Sequence, residues 1–234
     1  ANTCVVVLRL SDGTNSDEIT VTVTITDTSP AITSSQSANL AESAANGADV
    51  MTVSTTGDTP TAFSINTGNT DGDSDGNLPF KISAAGLIEV NDADDIDRET
   101  TASYTLGIVA TDGDNAVLES VTITLTDVND NTPVFDDDDS DGDTATAAAS
   151  VAENVAAVGT YDGTDADAAD TLVYTIRTAA QAGTSVDHDL FSIVSGTGVL
   201  TFSSAPNYEA PGCGAGNNAN TCVVVLMVSD GTNS

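Results

Sequence analysis

The groups in this chain best suited to chemistry are its acids. Seven Glu and twenty-nine Asp make up 36 acidic residues, and most of the Asp sit among Gly, Asn, Ser and Thr. Asp in that company forms turns and offers carboxylate oxygens from loops, the donors that a hard cation such as calcium takes in an irregular cage. The groups used in acid–base and nucleophilic catalysis are scarce: one His, one Lys, three Cys and no Trp in 234 residues. Such catalysis needs a titratable or nucleophilic side chain held beside a partner, so the composition argues against an enzyme. With four Lys plus Arg, the formal net charge is -32 at pH 7, which opposes nucleic acid phosphates and anionic membrane surfaces. No apolar run approaches the ~18 residues of a membrane span, and 39% apolar residues are enough to build cores.

Short strands must position these acids. Val21, Val23 and Ile25 alternate with Thr20, Thr22, Thr24 and Thr26, and Val121, Ile123 and Leu125 alternate with Thr122, Thr124 and Thr126. Period two with β-branched residues predicts half-buried strands. Tyr104, Leu106, Ile108 and Ala110 alternate in the same way, and aligning Asp112 with Asp230 puts Cys222, Val224, Leu226 and Val228 on one inward face. No stretch carries a sustained helical period with caps. About seven short strands per module, separated by Gly, Asp and Asn turns, predict an antiparallel sandwich.

The chain repeats itself on two scales. Residues 1–16 return as residues 219–234 with two differences, Arg9 against Met227 and Leu10 against Val228. A more diverged repeat lies inside: Glu42 corresponds to Glu153, Phe63 to Tyr174, Phe80 to Phe191 and Gly86 to Gly198, at offsets of 111, 111, 111 and 112. Two modules of roughly 110 residues, with near-identity at the larger period, point to recent duplication within an array. On this reading residues 1–28 are the closing strands of an upstream module, 29–132 a complete module and 133–234 a module lacking its last strand. Either the chain is a window of a longer polypeptide or neighbouring subunits exchange strands. The penultimate strand is present at both ends, so an exchange would supply it twice, which favours the window.

Four spaced motifs stand in order along the chain: Ile96-Asp97-Arg98-Glu99, Asp127-Val-Asn-Asp-Asn-Thr-Pro133, Ala152-Glu153-Asn154 and Asp165-Ala-Asp167. Together they closely resemble the signature set of cadherin repeats, and the resemblance covers nearly the whole chain. It implies an all-β fold of tandem seven-stranded Greek-key β-sandwiches (cadherin- or Ig-like) arranged end to end, with Ca2+ at the junctions. Carried over motif by motif, it implies Glu42, Asp97 and Glu99 as metal ligands from the first module. The linker would add Asp127, Asn129, Asp130 and Asn131, and the second module Asp165, Asp167 and Asp230. Eight of these ten are carboxylates, which would repel one another unless a hard cation sat among them. Magnesium demands a tight octahedron and releases water reluctantly, so calcium suits an irregular cage better. The junction near residue 28 departs from the pattern: Asp27-Thr28-Ser29-Pro30 lacks the NDN core, Thr56-Gly57-Asp58 stands at the DxD position, and Asn207-Tyr208-Glu209 replaces DRE. Glu153, Glu209, Asp27 and Asp112 remain, and this junction is expected to be metal-poor.

Three features stand outside that set. Asp71-Gly-Asp-Ser-Asp-Gly-Asn77 reads like the start of a DxDxDG calcium loop, but Ile82 stands where an EF-hand needs its bidentate Glu, and no helices flank it. An exposed acidic turn is the expectation, with a calcium site as the alternative. The acidic run from Asp136 to Asp143 reads as a solvated insertion with nonspecific cation attraction, with a dedicated ion site as the alternative. Cys213 and Cys222 bracket a Gly- and Asn-rich insertion, since Glu209 to Cys222 spans 13 residues where Glu99 to Tyr104 spans 5. A disulfide would close that loop and imply an oxidising compartment, with buried thiols as the alternative; Cys4, the counterpart of Cys222, would pair upstream.

These readings converge on an extracellular or cell-surface structural protein. Its modules would form a calcium-stabilised rod, stalk or filament, with further copies of the same repeat as partners, in the same chain or in neighbouring subunits. Extreme acidity fits a saline setting, and the Thr, Ala and Asp bias suggests a prokaryotic source. A glycan- or protein-binding adhesin module is the alternative, but nine Phe plus Tyr, several at core positions, offer little for an aromatic recognition patch.

Overall fold

The computed structural model describes residues 2–136, 147–167, 170–178, 187–214 and 219–232; most of the acidic run at 136–143 lies outside them. The fold is all-β, with a single 3-10 turn at His188–Leu190 among the described residues. No helix there is long and apolar enough to cross a membrane. The chain divides into two compact units, Ala1–Thr126 and Asp127–Ser234.

Unit 1 opens with a hairpin, β1 (Asn2–Ser11) and β2 (Ser16–Ile25), in register from Asn2↔Ile25 to Ser11↔Ser16. Its turn is held by Asp12, whose Oδ1 accepts from the amides of Asn15 (2.6 Å) and Thr14 (2.8 Å), while Gly13 takes φ +90°, a region open to glycine. Those amides hold the Asp12 carboxyl below the usual carboxylate range. The pairing puts Cys4, Val6 and Leu8 opposite Val23, Val21 and Ile19 on one apolar face. The strands alternate as expected, but half-burial is not what β2 shows: Val21, Val23 and Ile25 are 37%, 50% and 56% exposed. The physical reason is that no second sheet covers this face among the described residues of unit 1.

The rest of unit 1 is a sandwich. β3 (Pro30–Ile32) and β4 (Gln36–Ala41) are halves of one strand interrupted at Ser35 (φ 60°), and β5 (Asp49–Thr52) and β6 (Thr55–Gly57) are halves of the next. β7 (Ala62–Thr67), β8 (Phe80–Ile82), β9 (Leu87–Val90), β10 (Ser103–Thr111) and β11 (Ala116–Thr126) complete seven strands. One sheet has the order β4-β11-β10-β7 and a second β5-β9-β8, while β3 and β6 form a short pair of their own. β4 runs parallel to β11 and the other pairings are antiparallel. The period-two residues face inward: Tyr104, Leu106, Ile108 and Ala110 of β10 and Val121, Ile123 and Leu125 of β11 are buried with Phe80, Ile88 and Val90 in one core.

Unit 2 contains β12 (Val134–Phe135), β13 (Ala157–Thr160), β14 (Gly163–Thr164), β15 (Val173–Arg177), β16 (Phe191–Ile193), β17 (Val199–Phe202) and β18 (Val225–Ser229). Its pairings β12-β14, β13-β17-β16 and β15-β18 reproduce β3-β6, β5-β9-β8 and β7-β10. Phe80 and Phe191 open β8 and β16, and Gly86 and Gly198, at φ 81° and 64°, precede β9 and β17. Both glycines are required by contact as well as by φ: a Cβ would press on the Phe63 ring at Gly86 and strike the Tyr161 carbonyl at Gly198. Cys213 and Cys222 are paired as a disulfide with Cα atoms 4.9 Å apart. Buried Asp187 braces the same loop by accepting from the amides of Gly214 and Val223, each at 2.7 Å. Cys4 is exposed and unpaired.

Leu106→Ala should cost ~2–5 kcal/mol in urea unfolding because it opens a cavity at a fully buried site. Leu118→Ala, at a side chain 57% exposed, should change stability by less than ~0.5 kcal/mol. Thiol titration in denaturant should find one reactive cysteine before reduction and all three of the sequence after it. Opening that short loop should cost unit 2 about 2–3 kcal/mol.

Candidate metal centre

In unit 1 the relevant acids gather where β11 ends. The parallel pairing of β4 with β11 finishes at Ala41↔Thr126, and the Glu42 amide donates to the Thr126 carbonyl (3.3 Å). Glu42 therefore lies beside the last residue before Asp127. Its side chain is buried, and Oε2 accepts from the Arg98 amide at 2.7 Å, which brings Glu42 to the Asp97–Glu99 segment. Asp97 turns to its own loop, accepting from the Thr100 hydroxyl (2.8 Å) and amide (3.1 Å). The hydroxyl is the largest of the causes that hold its carboxyl below the usual range, ahead of the Thr100 and Glu99 amides. Arg98 Nη1 lies 3.2 Å from Glu99 Oε1. Even so, burial and then the charge of Glu42 push the Glu99 carboxyl up, as expected of two acids facing each other in a partly dry site.

In unit 2 the antiparallel pairing Val173↔Ser229 puts the segment before β15 and the residue after β18 at one end. Asp165, Asp167, Asp170 and Asp230 there each bring an oxygen within 4.8 Å of the others. The linker is bonded to this group. Asn131 donates through its amide to Asp167 Oδ2 and through Nδ2 to Asp167 Oδ1, both at 2.9 Å. Asn129 Nδ2 donates to Asp170 Oδ2 at 2.6 Å, and Asn131 Nδ2 also donates to Asp130 Oδ1 at 3.1 Å. The Asp167 amide donates to Asp165 Oδ1 at 3.1 Å, whereas Asp165 Oδ2 is buried with no hydrogen-bond donor among the described residues. Burial, then the charges of Asp167, Asp230, Asp165 and Asp127, push the Asp170 carboxyl up.

The donor set fits an oxygen-ligated divalent cation. Ligands at ~2.3–2.6 Å from calcium lie up to ~5 Å apart across the ion, which matches the spread of the four acids, and an ion would satisfy the orphaned Asp165 oxygen. The residues fitted to hold it are Asp165, Asp167, Asp170 and Asp230. What calcium would supply is positive charge, offsetting the repulsion among these four carboxylates.

Asp170 is the residue the motif reading missed. Its signal was in the sequence as Asp165-Ala-Asp-Ala-Ala-Asp170, but its place beside Asp230 follows only from the β15–β18 pairing. The acids of the diverged junction behave differently. Asp27 Oδ2 accepts from Asn115 Nδ2 (2.8 Å), Asp112 Oδ1 accepts from the Asn115 amide (2.8 Å), and Glu153 Oε2 accepts from the Tyr208 amide (3.2 Å). Among the described residues, none of Asp27, Asp112, Glu153 and Glu209 joins a group of three or more potential ligands.

No family model matches the chain. Mouse Cadherin-23 EC22-24 superposes with a TM-score of 0.61 at 23% identity, covering 88% of this chain and 65% of that one. Mouse Protocadherin-24 EC1-3 gives 0.60 at 22% identity over 88% and 68%. The fold is cadherin-like. The cis-dimer structure of Protocadherin gammaB7 EC3-6 also superposes at 0.60, with 21% identity over 84% of this chain and 50% of that one. In sequence, human Protocadherin Fat 4 is 34% identical over 137 residues, 56% of this chain and 2% of that protein, so the chain spans a small fraction of its length. These cadherin-like units carry their acid clusters at strand ends, where short loops can converge.

Asp170→Asn keeps an acceptor for Asn129 and removes one charge. Its melting temperature in EDTA should be higher than that of the native chain, and its calcium-induced rise smaller. A fall in EDTA would mean that Asp170 is not under repulsion.

Proposed function

We propose that the chain forms part of an extracellular, calcium-stiffened array of cadherin-like modules working mechanically as a rod, stalk or filament. The carrying observation is the four-acid cluster of unit 2, to which linker residues Asn129 and Asn131 are directly hydrogen-bonded. An ion held by Asp165, Asp167, Asp170 and Asp230 also fixes the carboxylates that grip the linker, so residues 127–131 lose conformational freedom. Glu42, Asp97, Glu99, Asp127 and Asp130 are proposed as further calcium ligands because they stand at the ligand positions that the resemblance to cadherin repeats implies. Asn129 and Asn131 orient the acids from the linker.

The magnitude suits an external setting. Extracellular calcium modules bind at ~10⁻⁴–10⁻³ M, and calcium at ten times the dissociation constant would add about 1.4 kcal/mol of stability per site. That is enough to select one linker conformation and little enough to be lost on chelation.

Further copies of the repeat are the proposed partners. The apolar face of β1–β2, with Val6, Leu8, Val21 and Val23 exposed, is the kind of surface a second sheet covers in a sandwich. On this reading the hairpin belongs to an upstream module. A protocadherin cis dimer among the structural neighbours supports lateral pairing of copies.

Small-angle scattering of the chain should give one extended particle in 1 mM calcium and a broader distance distribution in EDTA, restored by calcium and not by magnesium. Identical profiles with and without chelator would sink the mechanical reading.

A further inference from the structure

We propose that the Asp71–Asn77 turn and the buried Asp95 form a separate calcium site within unit 1. The sequence Asp71-Gly-Asp-Ser-Asp-Gly begins like a calcium loop and lacks an acid at Ile82, where a sequential loop would finish. The fold supplies that acid from elsewhere. Asp71, Asp73 and Asp95 each bring an oxygen within 4.8 Å of the others, a span that matches ligands lying across one calcium ion.

Asp95 makes this more than an acidic turn. It is 7% exposed, its Oδ1 accepts from the amides of Gly72 (2.7 Å) and Asp73 (3.1 Å), and its Oδ2 is buried with no hydrogen-bond partner among the described residues. The carboxylate is held there. Neighbouring Ile96 is buried in the core, and the Tyr104 hydroxyl donates to the Asp95 carbonyl at 2.5 Å. The loop is clamped at its base, where Asn69 exchanges two side-chain hydrogen bonds with the Phe80 backbone (2.7 and 3.0 Å).

The bland reading is that these acids only cap their own turn. It accounts for Asp71, which accepts from the Ser74 and Gly76 amides, and for Asp73, which accepts from the Asp75 amide. It leaves unexplained why a carboxylate from another segment is buried against two acids with one oxygen unsatisfied, an arrangement that is unfavourable without a cation. A hollow walled by Thr70, Asp73, Asp94, Asp95 and Tyr104 gives waters access to complete the coordination. Asp97 also lines this hollow, whereas the four-acid cluster of Asp165, Asp167, Asp170 and Asp230 lies in unit 2.

Two readouts test this on the whole chain: calcium bound per chain by equilibrium dialysis, and terbium emission excited through tyrosine, for which Tyr104 is the adjacent antenna. Asp71→Asn with Asp73→Asn keeps the turn's oxygen acceptors and should bind one calcium fewer than the native chain, with reduced terbium emission. Asp95→Asn should lose the same ion. Asp165→Asn with Asp167→Asn should lose calcium at the linker and keep the emission that the turn variant loses. An unchanged calcium count in both the turn variant and Asp95→Asn overturns the proposal, as does an emission loss confined to the linker variant.

Discussion

Like-charge repulsion among carboxylates that the fold itself gathers is the constraint on which this molecule depends. With 36 acids against four Lys plus Arg, the chain cannot neutralise its clusters from its own side chains. Arg98 meets Glu99, yet the Glu99 carboxyl is still pushed up. Asp165, Asp167, Asp170 and Asp230 each bring an oxygen within 4.8 Å of the others, and under the proposed function the counter-charge comes from solution. The architecture then makes sense as a cation-assisted one: apolar residues close each unit, and strand ends deliver acids to places that favour an ion.

One residue type does two jobs, and backbone donors decide which. Asp12 and Asp112 each cap a turn, receive amide hydrogen bonds and are held below the usual carboxylate range. Asp170 receives a donor from Asn129 but faces four other acids, and its carboxyl is pushed up. Asp95 and Asp165 each have a buried oxygen that no donor among the described residues reaches. Saturated acids are therefore turn-formers, and undersaturated ones mark where positive charge is wanted.

Much of the fold was legible because period two is a local signal. The alternations at Tyr104–Ala110 and Val121–Leu125 became the buried faces of β10 and β11. The interruptions in the first two sandwich strands were not legible, since Ser35 at φ 60° leaves no pattern in side-chain polarity. Alternation in β2 gave the strand and not its burial, because burial depends on a covering layer. For the site, contiguous motifs could be read directly, as at Asp165-Ala-Asp167. Asp170 and Asp95 could not: the first needs strand pairing to reach Asp230, and the second reaches the Asp71–Asn77 turn only through the fold, where it accepts from the Gly72 and Asp73 amides. Polarity along a chain shows which residues can bind a cation, and tertiary packing shows which are left in need of one.

The most direct measurement is an anomalous difference map from crystals of the chain grown in millimolar calcium. The expected result is a calcium peak among the carboxylates of Asp165, Asp167, Asp170 and Asp230, with none beside Asp27. A cluster without a peak, its acids splayed into solvent, would contradict the central claim.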